Sequence, residues 1–398
     1  MKQGETDKNI LVFTAFLSNG GISSYAIPLV NELAKDHMVT LLYSGADGDK
    51  LSRIDPRVRC VLYSSPGNKA IFGYMIKRMW LHHIIRVKTR ARLAAPPTGS
   101  IQRVAYSKAM MLSLPDEIKQ TNYDIAISTA AFCSNDVVAI HFKAKKKVAW
   151  IHSDYSALHA DIAFDRIVLD QYDYIASVSE STRDKLVKCI PDYASKALYI
   201  PNLLDYDRIR KVAEEPPEEY QDRGDHRIIV TVSRIDNSSK RLDRVLKIAK
   251  ELRKQNEKFH WYIVGGGKDY AQMSSLIESE GLQSDITMLG NRDNPYPYVK
   301  YADLFALTSQ FEGRPLAVDE AIALGCPVIV TNYTSAKEQV KPEYGFVIEN
   351  DDQTIAEEFC SKLDWAAIDA LRKKNTLTDS GEQQRELFHE KMKVILED

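Results

Sequence analysis

Two glutamates eight positions apart, Glu312 and Glu320, stand in the run SQFEGRPLAVDEAIALGCPVIVTNY. Two cations six positions apart, Arg234 and Lys240, stand in TVSRIDNSSKRLDRVLKIAKEL. An ionised carboxylate only accepts hydrogen bonds, so the glutamates suit the hydroxyls of a polar ligand. A guanidinium fork and an ammonium converging on one place suit a diphosphate, which carries about two negative charges. Gly20 and Gly21 follow the first apolar run and permit a tight turn and a close backbone approach at a helix N-terminus. Their context is not G-x-G-x-x-G, so a dinucleotide-cofactor fingerprint is absent. In VAWIHSDY, His152 ends an apolar run with Asp154 two residues on, a pair able to orient a ligand hydroxyl or move its proton.

These residues need elements to place them. Strand-like apolar runs begin at Ile10, Met38, Tyr123, Lys147 and Tyr174, then at Arg227, Trp261, Ile286, Asp303, Pro327 and Gly345. Helical patterns lie between them, which predicts two parallel α/β sheets. In such sheets the ligand sits at the carboxyl ends of the strands. Glu312 falls on a loop just after a strand, and Glu320 falls inside the helix that follows. Residues 211–225, charged and proline-bearing with almost nothing to bury, read as a linker. The expected organisation is an N-terminal domain over 1–205, a linker over 206–225, a C-terminal domain over 226–375 and a final helix over 376–398.

E-x7-E in this setting, with the Gly313 turn and the A-x-x-x-G-x-P-V-I tail, resembles the signature of the retaining GT-B glycosyltransferases of family 4. The chain departs from that pattern at Arg314-Pro315, where the family usually has a small aromatic-glycine pair. The resemblance implies two Rossmann-like, doubly wound domains facing across a cleft, the C-terminal helix crossing back to the first domain. It assigns Arg234 and Lys240 to the donor's pyrophosphate and Glu320 to the ribose. Glu312 would lie against the transferred sugar, with His152 and Asp154 close to it. The base would lie near Gly290, Asn291 and Arg292. Gly313, Arg314, Pro315, Leu316 and Ala317 would bind the donor, the backbone N–H groups of Arg314 through Ala317 facing the diphosphate, and the Gly20-Gly21 loop would approach the phosphate and the acceptor. Tyr296 and Tyr298 read as packing residues. No D-x-D motif stands at a matching position, so a metal-independent reaction without cofactor is expected. Arg314 would add a cation beside the donor and influence sugar choice.

At 398 residues the chain exceeds one core, and its 44% hydrophobic and 27% charged content is that of a globular protein. Five scattered cysteines (60, 133, 189, 326, 360) form no CxxC and read as reduced thiols. With no long apolar run and no signal h-region, a cytoplasmic protein is expected. The net charge of −2 hides an asymmetry: the sixty residues between Asp55 and Asp116 contain no acid and eleven bases. Lys77, Arg78, Arg86, Lys88 and Arg90 are interleaved there with Trp80 and other large apolar residues. This pattern suits an interfacial segment on an anionic membrane, with an ordinary amphipathic helix and nucleic-acid binding as the alternatives. The combined expectation is a peripheral enzyme on the inner face of the membrane. It would move a sugar from a nucleotide-sugar, UDP-linked by preference, to a lipid-linked or polymeric glycan. A nucleotide-sugar 2-epimerase and a non-catalytic GT-B partner subunit are the alternatives.

Overall fold

A computed structural model describes residues 7–14, 17, 21–63, 103, 107–108, 110, 114–129, 133–158, 162–375 and 380–397. Among these lie thirteen strands, all in parallel pairs, in two sheets. The first sheet comprises β1 (Asn9–Phe13), β2 (Met38–Tyr43), β3 (Arg59–Leu62), β4 (Asn122–Ser128), β5 (Lys143–Ile151), β6 (Tyr174–Ser177) and β7 (Ala197–Tyr199). The second comprises β8 (Arg227–Val232), β9 (Phe259–Val264), β10 (Ile286–Gly290), β11 (Leu304–Leu307), β12 (Val328–Thr331) and β13 (Gly345–Ile348). Spatial order is β3-β2-β1-β4-β5-β6-β7 in one and β10-β9-β8-β11-β12-β13 in the other. Each order starts near the middle, runs to one edge, then returns to fill the other side, the doubly wound pattern.

Every expected apolar run became a strand, because parallel strands buried on both faces need near-continuous apolar residues. Ile10, Leu11, Val12 and Phe13 are all fully buried. Two strands had no such signal. β3 is an edge strand with three of its four residues exposed, and β7 is only three residues long. In the second sheet, the helix Asp243–Lys254 packs one face through Val245, Ile248, Ala249 and Leu252, at helical spacing. The helix Leu316–Ala323 packs the other face through Val318, Ala321 and Ile322.

The chain divides into two compact units. The first contains Met1–Val178, Lys185–Ile200 and Lys391–Asp398; the second contains Ser179–Asp184 and Pro201–Glu390. Residues 206–225, expected as a linker whose stretch 211–225 has almost nothing to bury, do pack. They hold the helix Tyr206–Val212, and Tyr220 is buried with its hydroxyl donating to the Tyr298 carbonyl at 3.0 Å. A few aromatic and aliphatic side chains anchor an otherwise charged stretch. The final helix is Ser380–Leu396, with Met392 and Ile395 fully buried. Lys146 Nζ, in the first unit, donates to the Ile395 carbonyl at 3.1 Å.

Candidate functional site

In the second unit the topological switch lies between β8 and β11, which pair in parallel yet lead to opposite edges of the sheet. Loops leaving two such strands part from one another and open a crevice. Arg234 and Lys240 follow β8, and Glu312 follows β11. The structure brings two of them together: Lys240 Nζ is hydrogen-bonded to Glu312 Oε1. Ser309 Oγ donates to the same oxygen at 2.7 Å. The side chains of Lys240 and Glu312 are only 19% and 11% exposed, so the pair sits at the floor of the crevice. Arg234 is 67% exposed, 3.6 Å from Asp236. Asp236 is held below the usual carboxylate range, first by the Ser238 hydroxyl and then by Lys268 at 3.0 Å.

The two loops are stitched to each other. Gln310 N donates to the Ser239 carbonyl at 2.8 Å, and Thr308 Oγ1 to the Arg241 carbonyl at 3.1 Å. Thr331 Oγ1, at the end of β12, donates to the Ser309 carbonyl at 2.6 Å. Beneath them Arg244 is 1% exposed. It donates to the Thr308 carbonyl at 3.0 Å, Gln310 Oε1 at 2.6 Å, Asn350 Oδ1 at 2.6 Å and Asp352 Oδ1 at 2.7 Å. This one side chain ties the stem of the Glu312 loop to the helix after Lys240. Sequence reasoning missed it, although a signal was there: Arg244 precedes Ile248 and Leu252 by four and eight residues, so a cation occupies the apolar stripe.

Glu320, 9% exposed on the helix Leu316–Ala323, accepts from the Tyr296 hydroxyl at 3.0 Å. Tyr296, read as a packing residue, therefore also supplies a donor to a half-hidden carboxylate. Tyr298 likewise does more than pack, because its hydroxyl lies 3.0 and 3.1 Å from the two Glu219 carboxylate oxygens. Arg314 is not a lone cation beside the crevice. Its Nε and Nη2 donate to Asp319 Oδ2 and Oδ1 at 3.0 and 2.9 Å. Pro315 has no N–H, so in residues 313–317 the backbone donors are those of Gly313, Arg314, Leu316 and Ala317. The Pro315 carbonyl accepts from Gln339 Nε2 at 3.0 Å and from Val318 N at 3.1 Å. No side chain caps this helix start, which leaves its first N–H groups available to an anion.

At the ends of β9 and β10 the glycines have a packing reason. A Cβ on Gly265 would stand 1.9 Å from the Ser233 carbonyl oxygen, and one on Gly267 2.2 Å from that of Ile235. Gly290 takes a φ of 70° and accepts from Gly265 N at 2.8 Å. Asn291 is exposed, its amide close over Gly266. Arg292 Nη2 lies 3.1 Å from Glu219 Oε1, and its Nε donates to the Tyr298 hydroxyl at 3.1 Å. With Lys211, Glu214, Asn294 and Tyr298 these two side chains line an open groove of about 540 Å³.

The first unit carries the remaining expected residues that can be placed. Gly21 opens the helix Gly21–Leu33 with open space where a Cβ would stand; Gly20 lies outside the described residues. His152 follows β5 directly, its ring against Tyr25 with centroids 4.7 Å apart. Its Nε2 is enclosed without a hydrogen-bond partner, and burial holds the imidazole pKa down to about 4, so it is neutral near pH 7. Asp154 accepts from Ser156 N at 2.9 Å and Ser156 Oγ at 2.5 Å, capping the turn Tyr155–Ala157. Lys77, Arg78, Trp80, Arg86, Lys88 and Arg90 lie outside the described residues. Among the described bases of the same acid-free stretch, Arg57 pairs with Asp55, Arg59 with Glu117, and Arg103 with both Asp136 and Asp165. Among the described residues no helix is long and apolar enough to cross a membrane, and no group of three His, Cys, Asp or Glu could hold a metal ion.

Two family models match the chain, Glycosyltransferase Family 4 over residues 19–208 and Glycosyl transferases group 1 over 212–375. An uncharacterised glycosyltransferase of Methanocaldococcus jannaschii is 24% identical over 209 residues, 50% of this chain and 51% of that protein. The N-acetylgalactosamine-N,N'-diacetylbacillosaminyl-diphospho-undecaprenol 4-alpha-N-acetylgalactosaminyltransferase of Campylobacter jejuni is 24% identical over 238 residues, 59% of this chain and 62% of that one. The chain thus spans between half and two thirds of the length of these relatives. Anabaena Alr3699/HepE in complex with UDP and glucose shares the fold, with a TM-score of 0.69 at 15% identity over 98% of this chain and 99% of that one. Two doubly wound parallel sheets, a cation–carboxylate pair at the second switch point, and models matching both halves agree: the chain belongs to the GT-B glycosyltransferases of family 4.

Proposed function

We propose that the protein transfers a sugar from a nucleoside-diphosphate sugar, UDP-linked by preference, to a hydroxyl of a lipid-linked or polymeric glycan at a membrane surface. The observation that carries this is the Lys240–Glu312 pair at the β8–β11 switch, with the exposed Arg234 at the same strand ends. Cations and a carboxylate there match a donor that is anionic at its diphosphate and becomes cationic at its anomeric carbon. Arg234 and Lys240 take the diphosphate, helped by the uncapped N–H groups of Leu316 and Ala317. Glu312 accepts from sugar hydroxyls and stabilises positive charge at the anomeric carbon, and Glu320 accepts from the ribose. The base lies near Gly290, Asn291 and Arg292. The Gly20-Gly21 loop, His152 and Asp154 serve the sugar and acceptor side.

The acceptor hydroxyl attacks the anomeric carbon from the face the diphosphate leaves. The carbon–oxygen bond to the diphosphate breaks, the new glycosidic bond forms, and the acceptor's proton passes to the departing phosphate oxygen. The products are a glycoside of retained configuration and the nucleoside diphosphate. Charge on the leaving group is met by Arg234 and Lys240, so no metal is required. A UDP-sugar as donor is in keeping with the UDP complex of the Anabaena structure, and a lipid-linked acceptor with the undecaprenol-named relative. Partition onto the anionic inner face of the membrane rests on the acid-free basic segment.

The test is a thermal-shift screen of UDP-, GDP-, ADP- and dTDP-sugars, followed by assay of the donor that binds. Saturation at a hundred times Kd stabilises by about 2.7 kcal/mol, so the cognate donor stands out as a rise in Tm. Slow release of free sugar and UDP without acceptor, unaffected by EDTA, is expected. Formation of a 2-epimer instead identifies an epimerase. A protein shifted by none of the four donors has no donor site and the proposal fails.

A further inference from the structure

We propose that Arg314, paired with Asp319, is a positioning residue that fixes the donor-binding helix start against Glu312 and makes no direct contact with the donor. The proposal rests on the transferase reading above. Arg314 stands two residues after Glu312 and two before Leu316, on the short stretch of chain that joins the carboxylate to the helix start. Its fork is bidentate on Asp319, which lies in the helix's first turn, with side chains 10% and 7% exposed. The stretch therefore folds back onto the helix it leads into. Gln339 holds the Pro315 carbonyl at 3.0 Å from a different element, and the Tyr333 hydroxyl holds Gln339 Oε1 at 2.7 Å. Two planar forks and a proline leave the path from Glu312 to Leu316 little freedom.

Charge balance argues the same way. A guanidinium held two-pronged on a carboxylate forms a neutral pair and adds almost no net charge to the crevice. A swing of Arg314 toward a diphosphate would leave Asp319 buried without its partner, beside a helix N-terminus that an anion must approach. A fixed pair instead contributes geometry: reacting groups misplaced by about 1 Å lose on the order of a hundredfold in rate. Arg-Pro thus replaces the conformational freedom of a glycine-containing loop with a clamp.

The experiment compares Arg314→Ala, Asp319→Ala, Arg314→Lys and the double variant Arg314→Met/Asp319→Leu with the wild type, measuring kcat, donor KM and the UDP-induced Tm shift. A wild type that neither binds UDP nor turns over sinks the transferase reading and is recognised before any variant is made. Given an active wild type, each alanine variant is expected to lose about 10- to 100-fold in kcat. Donor KM and the UDP shift should change less than about threefold. The double variant strands neither charge and should recover part of the loss, and should fold even if a single variant does not. Arg314→Lys keeps the charge but loses the planar fork that matches the carboxylate, and should fall between wild type and alanine. The proposal is overturned if Arg314→Ala weakens UDP binding while Asp319→Ala does not, which would mark direct donor contact. Unchanged kinetics in both alanine variants would overturn it equally.

Discussion

Replacing Arg244 by Met keeps volume and helix propensity while deleting the buried fork beneath the Glu312 loop. Four acceptors lose a donor, although Arg241 still donates to Asp352 Oδ1 at 2.9 Å. Asp352, with 43% of its side chain exposed, regains water at little cost. The Thr308 carbonyl is on a residue only 2% exposed and stays dry, and Gln310 Oε1, half-buried beside it, keeps only the contact from Arg241 Nη1 at 3.4 Å. Stranding a buried acceptor costs about 1–3 kcal/mol, and relief of the arginine's own desolvation offsets part of that, so a net loss of about 2–4 kcal/mol is expected. For a unit of roughly 200 residues each kcal/mol lowers Tm by about 2–4 °C, which puts the shift near 5–15 °C. Differential scanning calorimetry reads it directly. Thr308 and Gln310 open the stretch that carries Glu312, so kcat measured well below the new Tm should also fall by at least about tenfold. A Tm within about 2 °C of wild type, with unchanged kcat, would show that the Arg244 bonds neither stabilise the unit nor hold the loop.

Three further outcomes are expected. Glu312→Gln and Lys240→Ala should each lower turnover by about a hundredfold or more, the usual loss on removing one preorganised charge, and near-native rates in both would end the assignment of the crevice. His152 is held down to about 4 by burial, against 6.5 in an unfolded chain. From pH 6.5 down to 4 the unfolded state gains a proton that the folded state refuses, so stability falls with falling pH by up to about 1.4 kcal/mol per unit. His141, also held near 4 by burial, adds to the slope in the same direction. His152→Asn should flatten urea-midpoint stability between pH 6.5 and 5, and an unaltered slope would contradict the burial argument. Co-sedimentation with liposomes should need anionic lipid and weaken with salt; indifference to both would remove the membrane reading of the acid-free segment.

The strands of the second sheet were legible because the sheet packs a core cluster on each face, and continuous apolar runs have few other uses. That Arg234, Lys240 and Glu312 lie on loops at the carboxyl edge was legible from position, since each falls between a strand and the helix that follows it. Side-chain pairing was not. Nothing in Arg314-Pro315 announces that the cation turns forward to Asp319, because an exposed and a clamped arginine are spelled alike. Tyr296 lies 24 residues before Glu320, and only the folded sheet brings them together. The linker reading failed for a related reason: composition averages over a stretch, whereas one well-placed side chain, Tyr220, decides whether the stretch docks. β3 escaped notice because it is short and three of its four residues are exposed, so it carries no continuous apolar run.

The way the chain is shared between its units has a consequence for synthesis. Residues 391–398 belong to the first unit, while nearly all of 201–390 forms the second. As the polypeptide emerges from the ribosome, β1 waits for β4, more than a hundred residues later, before its second neighbour exists. The first unit then waits again, for the whole second unit to be made, before the side chains of Met392 and Ile395 can be buried and Lys146 can reach its carbonyl. Vectorial folding therefore finishes the later unit first and closes the earlier one last. Nascent chains stalled short of residue 391 should hold an assembled second unit and an N-terminal sheet still lacking its final cover.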